Sequence, residues 1–62
     1  METIYTFRNG DTIYFEPATG GTGGFAHIAD DDYNVIINEV FGHTKAVAVQ
    51  RVRELYRELK SN

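Results

Sequence analysis

Cysteine and tryptophan are absent from this chain of 62 residues, and proline occurs once. Without cysteine there is no disulfide to staple the fold and no thiolate zinc site. Long apolar runs are missing too. Nothing approaches the roughly 18 consecutive apolar residues that span a bilayer. The opening Met1-Glu2-Thr3 lacks the basic stretch and apolar core of a secretory signal. These absences set the expectation of a soluble, cytoplasmic protein. A chain this short is expected to form one domain over residues 1–62, near the lower limit for a self-sufficient core. Oligomerisation is one of the remaining ways to bury enough apolar surface, and a homodimer is expected.

Basic residues are scarce over most of the length. Arg8 is the lone cation of residues 1–43, against Glu2, Asp11, Glu16, Asp30, Asp31, Asp32 and Glu39. The remainder reverses the balance, with Lys45, Arg51, Arg53, Arg57 and Lys60 against Glu54 and Glu58. An acidic segment of this kind is a poor surface for phosphates and a good one for basic proteins.

Apolar and aromatic residues, by contrast, are plentiful and ordered. Thr3–Arg8 and Asp11–Glu16 flank Asn9-Gly10, the pair favoured by a two-residue type I′ turn. That register sets Phe7 opposite Thr12, Tyr5 opposite Tyr14, and Ile4 opposite Phe15. Tyr5, Phe7 and Tyr14 then share one face, and Ile4, Ile13 and Phe15 the other. After Pro17, the run Ala18–Gly24 predicts a flexible connection. A second hairpin follows, with strands Phe25–Ala29 and Tyr33–Val40 and Asp30-Asp31-Asp32 near its tip. Its second strand is apolar in both phases, so both hairpins predict burial on two sides.

Gly42-His43-Thr44 breaks the strand pattern, with Thr44 a candidate N-cap. Beyond Lys45, the positions Ala46, Val49, Val52, Leu55/Tyr56 and Leu59 form a helical stripe. The Val47/Val49 alternation also fits a short strand, so Ala46–Val49 is open between the two. The expected architecture is α+β: a four-stranded antiparallel sheet of two hairpins followed by one C-terminal helix, β-β-β-β-α. A single helix covers one face of such a sheet, which leaves the other face for a second copy or a partner.

Catalytic patterns are missing. The glycine run lacks the Lys-Ser/Thr and the following helix of a phosphate-binding loop. No nucleophile with a paired base stands out, and the chain offers little concave volume. His27, His43 and the three aspartates are ligand types, but alternating strand geometry separates His27 from the tip. No cofactor, metal or catalytic residue is assigned. The positive signal is the tip: Asp30, Asp31 and Asp32 can engage arginine clusters, with Tyr33, Tyr5, Phe7 and Tyr14 as aromatic anchors.

Two stretches bear a likeness to a known family. Ile4–Ile13 resembles the opening strand of the carbon storage regulator (CsrA/RsmA) family of small RNA-binding dimers. Val47–Arg51 resembles that family's last strand, which ends in an RNA-contacting arginine, with a tyrosine-bearing helix after it, here carrying Tyr56. The resemblance implies a single-stranded-RNA-binding homodimer contacting RNA through Thr6, Arg8 and Arg51. Phe7 replaces an arginine of that pattern, and the glycine-rich loop has no counterpart in it. In size, acidity and lack of cysteine the chain is also similar to phage-encoded inhibitors of the anti-CRISPR type. The favoured expectation is a non-enzymatic binding protein that regulates or inhibits a basic, nucleic-acid-handling protein.

Overall fold

A computed structural model describes residues 1–61. Four strands, β1 (Glu2–Thr6), β2 (Thr12–Pro17), β3 (Gly24–Ala29) and β4 (Val35–Gly42), form one antiparallel sheet in chain order. Helix α1 (Lys45–Lys60) runs back across one face. This is the expected β-β-β-β-α order. No helix among the described residues is long and apolar enough to cross a membrane.

Alternation along the two central strands decides which side chains meet the helix. Ile13 and Phe15 of β2, with Ala26 and Ile28 of β3, form the core against Ala48, Val52 and Tyr56 of α1. Ile4, Phe7, Ile37, Val40 and Val49 close its margins. Ile13, Ile28 and Val52 are fully buried, and each such side chain contributes about 1.5–3 kcal/mol relative to exposure.

Helix α1 starts where Thr44 accepts a hydrogen bond from the Val47 N–H at 3.1 Å. That cap satisfies one of the unpaired first-turn amides and commits Ala46–Val49 to helix rather than strand. The helical phase differs from the expected stripe. Ala46, Leu55 and Leu59 are exposed, while Ala48 is buried. The cause is a close approach: a Cβ on Gly42 would strike the backbone nitrogen of Ala48. With the end of β4 pressed there, the small Ala48 faces the sheet, and Val52 and Tyr56 follow it at helical spacing.

The first turn also differs. It is a three-residue loop, not a two-residue type I′ turn. Phe7 N–H donates to Asp11 O at 2.7 Å, Gly10 N–H donates to Phe7 O at 3.0 Å, and Gly10 takes φ +98°. These are the marks of a type I turn followed by a left-handed bulge residue. The Asn9 side chain stabilises it by accepting the Asp11 N–H at 2.9 Å, an Asx interaction that suits asparagine here. Consequently Thr6 pairs with Thr12, Tyr5 with Ile13, Thr3 with Tyr14 and Glu2 with Phe15, with an irregularity between Thr3 and Tyr5. Tyr5, Phe7 and Tyr14 therefore do not share a face. The second hairpin is displaced as well: β3 begins at Gly24 and β4 at Val35, leaving Tyr33 in the turn.

Candidate interaction surfaces

The β3–β4 tip repeats the first turn's backbone with different side chains. Asp30 N–H donates to Asn34 O at 2.9 Å, and Tyr33 N–H donates to Asp30 O at 3.0 Å. Asp30 Oδ1 accepts the N–H groups of Asp32 and Asn34, both at 2.9 Å. The Asn34 amide bond, aided by those of Asp32 and the Asn34 side chain, holds the Asp30 carboxyl below its ordinary range. Asp30 is thus committed to closing the turn. Asp31 and Asp32 are exposed, and their carboxylates take no part in it.

Tyr33 occupies the left-handed position with φ +65° and is 78% exposed. Gly10 fills the same position in the first turn. A non-glycine residue there is uncommon, and an exposed aromatic gains no packing that would offset the strain. Oxygens of the three aspartates lie within 4.8 Å of one another, so the tip concentrates negative charge beside an aromatic ring. Neither His27 nor His43 belongs to that group.

Tyr5 and Phe7 lie on the helix side. Phe7 stacks on Tyr56 with ring centroids 4.4 Å apart, and Tyr5 meets Phe7 edge-on at 5.0 Å. The Arg53 guanidinium sits 4.9 Å from the centre of the Tyr5 ring. Tyr14 points the other way, between the core residues Ile13 and Phe15, and stacks on His27 at 5.2 Å. Phe25 and Phe41, paired across β3 and β4, meet edge-to-face at 5.4 Å on that same uncovered face. His27, Val35, Asn38 and Glu39 line a shallow depression there. The uncovered face is therefore aromatic with an acidic margin of Glu16 and Glu39. Phe25 and His27 fall on this face by alternation with Ala26 and Ile28, whereas Phe41 lies beyond the expected strand Tyr33–Val40 and joins the face because β4 runs on to Gly42.

Asp11, one of the acids of residues 1–43, is not part of a charged surface. It is 5% exposed. The Tyr56 hydroxyl donates to its Oδ2 at 2.7 Å, the Asn9 amide donates to the same oxygen at 3.1 Å, and Lys60 Nζ lies 3.7 Å away. Burial and this carboxylate together raise the Tyr56 hydroxyl pKa above its ordinary value of 10.0. The cluster fastens the end of α1 to the first turn. It binds the fold to itself.

The residues implied by the RNA-binding resemblance come from the first hairpin, Thr6 and Arg8, and from α1, Arg51. Thr6 Oγ1 lies 3.1 Å from Thr12 Oγ1, Arg8 is exposed in the first turn, and Arg51 donates to Phe41 O at 2.9 Å. Val47–Arg51 belongs to α1, so the last-strand likeness has no strand to match. No protein-family model, curated protein or solved structure matches the chain.

Proposed function

We propose that this chain is a non-catalytic binding protein that docks on a basic surface of a nucleic-acid-handling protein and regulates or inhibits it. The compositional likeness to phage-encoded, anti-CRISPR-type inhibitors points to the same class. Asp31 and Asp32 supply charge for arginine or lysine side chains, and Tyr33 supplies an aromatic anchor between them and β4. The uncovered face, through Tyr14, Phe25 and Phe41, extends the contact area.

The observation that carries this reading is Tyr33. A large exposed side chain held at positive φ costs about 1 kcal/mol in an isolated turn. The homologous position in the first turn shows that glycine serves the backbone equally well. Strain retained on a solvent-facing, charged turn is the pattern expected of a surface kept for contact.

The test is affinity capture of nucleic-acid-handling proteins on the unaltered chain and on Asp30→Asn/Asp31→Asn/Asp32→Asn. Asparagine keeps the turn-closing acceptor at position 30, so the fold is expected to survive. Loss of the captured species with unchanged circular dichroism supports the reading; equal capture rules the tip out. A salt titration with single-stranded RNA separates the alternative. Binding of about micromolar strength that falls steeply with salt would favour an RNA-binding protein instead.

A further inference from the structure

β4 breaks its alternation twice, and both breaks turn side chains toward the uncovered face. Its register against β3 pairs Val40 with Ala26 and Ile37 with Ile28, so Asn38 and Glu39 together oppose His27. Adjacent residues of a regular strand point to opposite faces. Asn38 and Glu39 instead both line the depression beside His27. The second break leaves Ile36 without an opposite residue, between the Ile37–Ile28 and Val35–Ala29 pairs. Val35 and Ile37, two apart, would share a face in a regular strand. Here Ile37 packs against the core, whereas Val35 is 56% exposed and lines the depression. Bulges re-aim side chains in this way at sheet edges and beside functional sites.

The depression so built offers several kinds of contact at once. Glu39 supplies a carboxylate, and no ion pair among the described residues engages it. His27 supplies a ring, one face of which is covered by Tyr14 of β2, with 5.2 Å between centroids and 25° between planes. The other face of that ring is on the β4 side, where the depression lies. Val35 adds an apolar wall and Asn38 an amide oxygen. A planar cation on an aliphatic stem matches this set. Val35 suits the stem, the free ring face suits the guanidinium plane, and Glu39 suits its fork of donors. An ammonium group would use the carboxylate alone. The surrounding charge agrees: Glu16 and Glu39 border the uncovered face, whereas Lys45, Arg53 and Lys60 are engaged elsewhere, with Glu2, Tyr5 and Asp11.

We propose that the depression receives an arginine side chain of the basic partner, its guanidinium held by the Glu39 carboxylate against the His27 ring. The proposal rests on the reading of the chain as a protein that docks on a basic surface. It adds to the charged tip a second contact that selects arginine.

Amide shifts in nuclear magnetic resonance spectra of the full chain, titrated with acetyl-Gly-Arg-Gly-amide, test this. Saturable shifts at His27, Val35, Asn38 and Glu39 are expected, with a dissociation constant of about 1 mM for a ligand this small. Citrulline in place of arginine keeps the shape without the charge and should weaken binding by about tenfold or more. Lysine in its place should weaken binding by about threefold or more. Glu39→Gln should lose about tenfold with circular dichroism unchanged, and Glu16→Gln, on the same face, less than about twofold. Absence of saturable shifts at these amides, or shifts confined to residues 30–34, would overturn the proposal. So would equal binding of the lysine or citrulline peptide, undiminished binding by Glu39→Gln, or equal losses in the two glutamate variants. Asp30→Asn/Asp31→Asn/Asp32→Asn should leave the shifts at the depression in place. The tip is judged by partner capture and the depression by the tripeptide, so either can fail alone.

Discussion

The two hairpin turns share a backbone and differ in everything attached to it. In each, the first residue's N–H bonds to the fifth residue's carbonyl, at 2.7 Å from Phe7 to Asp11 and 2.9 Å from Asp30 to Asn34. In each, the fourth residue has positive φ. The first turn gives that place to glycine and turns its side chains inward, where Phe7, Asn9 and Asp11 grip Tyr56. The second gives it to tyrosine and holds Asp31, Asp32 and Tyr33 in solvent. One conformation thus serves as a clamp at one site and as a display at the other. The side chains, not the loop type, separate the two roles.

The clamp is where the largest effect is expected. Tyr56→Ala removes a buried aromatic, its stack on Phe7 and the donor to Asp11, a loss of about 3–5 kcal/mol for such truncations. Domains of this size hold only a few kcal/mol in total, so urea denaturation should find the variant mostly unfolded. Asp31→Asn/Asp32→Asn, on the other turn, should shift the same curve hardly at all. Comparable losses at both sites would erase the distinction.

Exchanging the positive-φ residues sharpens it at smaller scale. Gly10→Ala should destabilise by about 1–2 kcal/mol, because alanine in that conformation meets its own carbonyl. The reverse change, Tyr33→Gly, should stabilise by about 1 kcal/mol and raise the melting temperature by about 4–8 °C. Matching signs for the two would mean that one turn relaxes to a different conformation in solution.

The smallest effect concerns pH. Asp30 has a folded pKa below the ordinary 3.8. Its contribution is therefore present above that value and is lost as pH falls from there through the lower folded value. Amide exchange at Asp32 and Asn34 should quicken over that window, and Asp30→Asn should flatten the response. Tyr56 behaves in the opposite sense. Its raised pKa means that the contribution is complete below 10.0 and is lost as pH rises through the higher folded value.

The order of strands and helix was legible because each element carries its own local signal. β-branched and aromatic runs mark the strands, Gly20–Gly24 separates the hairpins, and Thr44 opens the helix. Finer placement was not legible, for identifiable reasons. Asn9-Gly10 serves a three-residue loop as readily as a two-residue one, and the sequence does not disclose the Asn9 bond to Asp11 that selects between them. Once the loop lengthens, Phe7 falls on the helix side. The helix phase depended on Gly42 pressing against Ala48, a long-range contact invisible to local periodicity. At the tip, the aspartate run was legible as charge. Its division into a closing residue, Asp30, and two displayed ones emerged only with the hydrogen bonds, as did the strained φ of Tyr33.

Tyr33→Gly offers the most direct test of the tip as a docking display, because melting and partner capture can be followed on one variant. A chain that melts higher yet no longer captures its basic partner is the expected result. Capture at the unaltered level, whatever the melting temperature, would contradict it.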